Sequence, residues 1–315
     1  QKEKSGGDAT AQSAQGTTIG WSEATLLTEG EKPCPMEEEH PENEPGTLEY
    51  EIKQLENDYK EWERVLPEHK RFISENNLTL HFLECMTDYI HMPFNLRKLK
   101  RTYTKWQTEL DGKGWNMLYI ENHDHPRMVS RYGSEKFRTE SAKMLAVSYL
   151  FLKGTPFIYQ GQEIGMSNWY PTDPEMYEDV QTRWQYENIG TKKSMEKRLQ
   201  RLWYGSRDSA RTPVQWDDGE HAGFTTGTPW FYVNDNYKEV NVASQEADAD
   251  SVLNFYRAAI KLRKELSCVR YGTYKEYNKC SSKVYVYTRE DEKQKILVIC
   301  SYAKTPVRFK APKNF

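Results

Sequence analysis

The feature that most limits what this chain can fold into is the order of segments between Trp115 and Tyr159. An apolar, extended run, Trp115 to Ile120, stops at the polar turn ENHDHP. A helical stretch through SAKMLAVSYLFLK follows and stops at Gly154 in the C-cap position, and a second apolar run spans Pro156 to Tyr159. Strand, loop, helix, strand at this spacing is a parallel βαβ unit, because parallel strands need a crossover of a dozen residues or more. In such sheets reactive side chains gather where strands end at their carboxyl side, and Asn122, His123 and Asp124 stand at that point, closed by Pro126.

The same reading extends along the chain. Leu48, Ile52, Leu55, Tyr59, Trp62 and Leu66 step by three and four, predicting an amphipathic helix over 48–66 closed by Pro67. Leu96, Leu99, Tyr103, Trp106 and Leu110 predict another, ended by Gly112 and Gly114, and a third is expected over Val252 to Leu266. Residues 1–46 are rich in Gly, Ser, Pro and Glu and read as loop. From Met166 to Trp203 a charged, aromatic insertion reads as loop and helix. Beyond Ser267, short β-rich runs at Lys283 to Tyr287, Lys295 to Cys300 and Val307 to Phe309 indicate an antiparallel β domain. The expected organisation is a leader over 1–79, largely loop with the one helix, a barrel-like α/β part over 80–266 and the β domain over 267–315.

Charge narrows the partners. With 315 residues, 44 basic and 47 acidic side chains and a net charge of −3, the chain has no field suited to nucleic acid or an anionic membrane. No apolar run is long enough for a bilayer. Cys34, Cys85, Cys268, Cys280 and Cys300 are odd in number and form no CxxC pair, as expected of reduced thiols in a cytoplasmic protein. The opening QKEKSGGDATAQSAQG has no secretory h-region. His123 and His125 flank Asp124, but no further ligand cluster lies nearby, so neither a metal nor another cofactor is expected.

NHDHPR at Asn122 to Arg127, GTPFIYQGQEIGM at Gly154 to Met166 and SRDSARTPVQWDD at Ser206 to Asp218 resemble, in that order, the α-glucosidase branch of the α-amylase family. Oligo-1,6-glucosidase, trehalose-6-phosphate hydrolase and dextran glucosidase belong to this branch. AGFTTGTPWFYVNDNYKEVNV continues the likeness, which covers roughly residues 80 to 300. The resemblance implies a (β/α)8 TIM-type barrel, here its C-terminal half, followed by the β domain, and retaining hydrolysis of α-glucosidic bonds in small oligosaccharides or disaccharides. It gives Asp124 the role of transition-state stabiliser, His123 a hydrogen bond to the same sugar ring, and Arg211 a place toward the substrate, with Arg207 as its substitute.

Retention requires a carboxylate nucleophile and a nearby acid/base carboxyl. No GFRMD-like nucleophile motif occurs, and the nearest match to the general-acid strand is TTIGWSEAT, so that either Glu23 is the acid or this chain supplies none. The expectation is therefore a truncated chain, inactive alone, prone to oligomerise through exposed barrel edges. A second reading is a non-catalytic, glucosidase-like binding or partner subunit, as in transporter heavy chains of this fold. For the remaining residues the expectations are Arg207 either paired with Asp208 or standing in for Arg211, Glu163 in a structural hydrogen-bond role, and Trp169, Tyr170 and Tyr177 as sugar contacts.

Overall fold

The computed structural model describes residues 94–188, 193–309 and 311–312, together with the strands Thr17–Ile19 (β1) and Ala24–Thr28 (β2). The expected helix over 48–66, Glu23, Cys34 and Cys85 lie outside the described residues.

Helix α1, Leu96–Glu109, begins where Asn95 Oδ1 accepts the amide of Lys98 at 3.1 Å, an N-cap that satisfies one of the helix's orphan donors. Its buried face carries Leu96, Leu99, Tyr103 and Trp106, as the three-and-four spacing predicts. Gly112 takes a φ of 71° just beyond, in the left-handed region, and lets the chain reverse into the first strand.

That strand, β3, is Met117–Leu118, and it pairs in parallel with β4, Thr155–Pro156. The ladder is shorter than the apolar runs suggested. Thr155 donates to Asn116 O at 2.8 Å and Phe157 to Leu118 O at 2.7 Å, while Pro156 between them has no N–H to give. Between the strands run α2, Met128–Tyr132, and α3, Arg138–Leu150. Helix α3 ends at Leu150, so Gly154 is not its cap, contrary to the expectation. A Cβ on Gly154 would stand 2.4 Å from Asn116 O, so glycine is required there by the close approach of β4 to β3, at a φ of 142°.

The insertion folds as α4, Val180–Asn188, and α5, Met195–Trp203. The chain then forms the single turn α6, Asp208–Arg211, followed by α7, Val242–Glu246, α8, Val252–Glu265, and α9, Ser267–Tyr271. Buried Arg263 of α8 donates to Leu152 O at 2.8 Å and also to Leu150 O and Gly154 O, capping the carbonyls left open at the end of α3.

The β domain is a sheet of order β2-β7-β6-β5, with β5 Thr273–Tyr277, β6 Val284–Glu290 and β7 Lys295–Ser301, all neighbours antiparallel. Alternation divides it. Tyr285, Tyr287, Ile296, Val298 and Cys300 pack in the same core as α3 and α8, while Val284, Val286, Leu297, Ile299 and Phe309 form a second cluster on the other face. β8, Val307–Phe309, pairs with β1.

The leader thus supplies two strands that a reading as mainly loop omits. TTI and ATLLT are too short to be read locally, and each is held as a strand by partners at the far end of the chain, Val307–Phe309 and Ile296–Cys300. Both TTIGWSEAT strand pieces flanking Glu23 therefore pair with the β domain and not with β3 or β4. Among the described residues Cys268, Cys280 and Cys300 are free thiols, and no helix is long and apolar enough to cross a membrane.

Candidate active site

The turn after β3 is shaped by its own side chains. Asn122 Oδ1 accepts the amide of Asp124 at 2.8 Å, and Asn122 O accepts that of His125 at 3.3 Å, an Asx-type turn that projects Asp124 outward. The Asp124 side chain is 41% exposed and so open to a ligand. Two arginines of the RDSAR segment converge on it. Arg207 Nη1 and Arg211 Nη2 both donate to Oδ1 at 3.2 Å, and His123 Nε2 lies 3.2 Å from Oδ2. Arg211 also donates through Nε to His123 O at 3.0 Å, tying the two loops together.

Behind the arginines sits a buried carboxylate. Asp179 Oδ1 accepts from Arg207 through Nε at 3.1 Å and through Nη2, and lies 3.6 Å from Arg211 Nη1. Its Oδ2 accepts the amide of Thr182 at 2.9 Å and the hydroxyl at 2.7 Å, so the residue also starts helix α4. Burial alone would raise the carboxyl's pKa, but the bonds from Arg207 and Thr182 outweigh it and hold the group below its ordinary value. The same contact raises the pKa of Arg207.

A second buried pair fixes the loops beneath. Arg127, fully buried, donates through Nη1 to Glu121 Oε1 at 2.7 Å and to Gln160 O at 2.7 Å, and through Nε to Ser209 O at 3.0 Å. Glu121 Oε2 accepts the amide of Met128 at 2.8 Å. Burial pushes the Glu121 carboxyl up, and Arg127 with the Met128 amide pulls it partly back. One guanidinium therefore joins the end of β3, the segment after β4 and the α6 turn that bears Arg207 and Arg211. Tyr159 adds a bond from its hydroxyl to Ala210 O at 3.0 Å.

The structure brings Asp124, His123 and Arg211 together, and Arg207 donates to the same Asp124 oxygen as Arg211. Arg207 does not pair with Asp208. The Asp208 carboxylate is buried and turned away, and its Oδ2 accepts the amides of Glu178 at 2.8 Å and Asp179 at 3.0 Å. Trp169 and Tyr177 are not sugar contacts. They are buried with Leu199 and Leu202, because the insertion needs a core of its own. Tyr170 faces a different recess. Glu163 is partly buried, and burial raises its pKa against the backbone amides of Glu163 and Gly161 and the charge of Arg127.

His125 is 3% exposed, and burial, with Arg131 nearby, lowers its pKa to about 4. The two histidines flanking Asp124 thus point to different environments. Among the described residues no group of three or more His, Cys, Asp or Glu could hold a metal ion. Sequence reasoning missed Asp179 and the Glu121–Arg127 pair. The only local sign of Asp179 was its capping spacing to Thr182, and Arg127 stood inside a motif whose partners lie up to 83 positions away.

This geometry can be set beside known proteins. The model of the alpha-amylase catalytic domain matches residues 55–272. The chain belongs to the alpha-amylase family. It is 47% identical over 226 residues to an oligo-1,6-glucosidase of Parageobacillus thermoglucosidasius, covering 70% of this chain and 40% of that protein. It is 40% identical over 247 residues to a trehalose-6-phosphate hydrolase of Bacillus subtilis, covering 76% and 44%. The solved trehalose-6-phosphate hydrolase of Bacillus licheniformis superposes with a TM-score of 0.70 at 41% identity, over 72% of this chain and 41% of that one. The chain spans about 40% of the length of the curated relatives it matches. The alpha-amylase fold, a TIM barrel with a β domain, accounts for the parallel β3–β4 pair beside an antiparallel sheet.

Proposed function

We propose that this chain carries the transition-state-stabilising side of an α-glucosidase site, of the retaining kind that cleaves α-glucosidic bonds in small oligosaccharides or disaccharides. The observation that carries the reading is the half-exposed Asp124 carboxylate at the carboxyl end of a parallel strand, fixed by Arg207 and Arg211. Cleavage develops positive charge at the anomeric carbon, and an anion already oriented there stabilises it without reorganising at the moment of reaction. Asp124 would also accept sugar hydroxyls, with His123 and Arg211 donating to the same ring. In this reading residues 80–266 form the later part of a (β/α)8 barrel and 267–315 the β domain, to which Ala24–Thr28 from the leader adds a strand.

Asp124 alone does not perform retention. The carboxylate nearest it through shared arginines, Asp179, is buried with both oxygens engaged, so it is no nucleophile. We therefore expect this chain by itself to bind a glucoside without turning it over. The test is turnover of p-nitrophenyl α-glucoside beside calorimetric binding of an acarbose-like sugar. Loss of one saturable binding component in Asp124→Ala, with no released nitrophenol, supports the proposal. Turnover by the chain alone, or binding untouched by Asp124→Ala, refutes it.

A further inference from the structure

A recess of about 480 Å³ that includes none of the side chains bonded to Asp124 is lined by Ser130, Glu135, Tyr170, Trp203 and Tyr204. Its volume falls in the range of roughly 300–1,000 Å³ common to small-molecule sites. Each wall is held by contacts of its own. The Trp203 indole N–H donates to Pro171 O at 2.9 Å, which fixes the ring plane. Tyr170 meets Trp203 at 5.6 Å and 76°, and Tyr204 at 6.3 Å and 61°, both edge to face. Glu135 is exposed, and its Oε1 accepts both the Ser130 and the Tyr170 hydroxyls, so the carboxylate is oriented before any ligand arrives. Its Oε2 accepts no hydrogen bond from the described residues.

We infer that this recess is a second saccharide-binding site, taking one hexose ring of an α-linked gluco-oligosaccharide. A hexose has an apolar C–H face and adjacent hydroxyls. The recess offers the matching pair, an exposed tyrosine ring with an indole beside it, and one oriented carboxylate oxygen able to accept from a hydroxyl. Other ligand chemistries fit less well. Among the described residues no lysine or arginine lines it, so anionic ligands meet only the charge of Glu135 there. An organic ammonium needs several ring faces turned toward it, whereas here Tyr170 meets each of the other two rings edge to face. The argument uses none of the residues around Asp124, so the two sites stand or fall separately.

The experiment is calorimetric titration of the full chain carrying Asp124→Ala with isomaltotriose and maltotriose up to about 20 mM, a ceiling set by the millimolar affinity of a single-ring site. Saturable binding is expected to remain. In that background Glu135→Gln should weaken it roughly tenfold, the worth of one hydrogen bond to a charged acceptor. Tyr204→Ala should remove it, and because that ring is about half exposed the substitution leaves the core intact. Absence of saturable binding in the Asp124→Ala chain overturns the inference. So does binding indifferent to both substitutions, or choline binding that displaces the sugars.

Discussion

Replacing Arg127 by methionine removes the guanidinium but keeps most of its apolar volume, so the change isolates charge and hydrogen bonding. Arg127 and Glu121 both have fully buried side chains. Taking away one member of such a pair costs about 3–5 kcal/mol, since the remaining charge has no compensation. Gln160 O loses a 2.7 Å bond as well, adding roughly 1–3 kcal/mol if no water replaces it. A loss of this size consumes much of a typical stability of about 5–15 kcal/mol. The sign of the pH dependence follows from Glu121. Its folded pKa is already raised, and without Arg127 it rises further, so the folded variant holds a proton that the unfolded chain releases, and stability falls as pH rises. Urea unfolding followed by tryptophan fluorescence should show a midpoint far below the parent at pH 7 and a smaller gap at pH 5. Adding Glu121→Gln should restore part of the loss, with a coupling of at least about 1 kcal/mol. A single-variant loss below roughly 1 kcal/mol, or strictly additive substitutions, would refute the idea that this pair is a buried strut.

Other outcomes follow from the same structure. His125 has a folded pKa of about 4 against 6.5 ordinarily, so the unfolded chain binds more protons between those values and stability falls on acidification through that window, by about 3 kcal/mol in total. Thermal unfolding from pH 7 to 4 should show this decline, and His125→Phe should flatten it. Asp179→Asn should keep the cap on Thr182 but release Arg207, weakening sugar binding at Asp124 roughly tenfold while the recess at Glu135 binds as before, both read by calorimetry. In the parent, the stability from the depressed Asp179 pKa is present above the unfolded carboxylate value and is lost as pH falls through the folded one. Gly154→Ala places a Cβ against Asn116 O at a strained φ, and a loss of about 1–3 kcal/mol in urea unfolding is expected, with hydrogen exchange rising at Thr155 and Phe157.

What the chain's order of residues determined by itself is local and periodic. Leu96, Leu99, Tyr103 and Trp106 fall on one face because an α-helix repeats every 3.6 residues, and Val284 to Tyr287 divide between two faces because a strand repeats every two. The three motifs were legible for a related reason, since each is a short stretch whose residue types only make sense at a strand end or a tight turn. Tertiary structure decided what depends on partners far along the chain. Arg127 became a strut only when Glu121, Gln160 and Ser209 closed around it. Asp179, a helix cap by spacing, became the anchor of Arg207 and Arg211. Trp169 and Tyr177, aromatic enough for a sugar, were drawn inward by Leu199 and Leu202. Pairing of Ala24–Thr28 with β7 needed the whole chain between them to fold back. Burial and partnership are set by which surfaces meet, and no spacing within a short window contains that information.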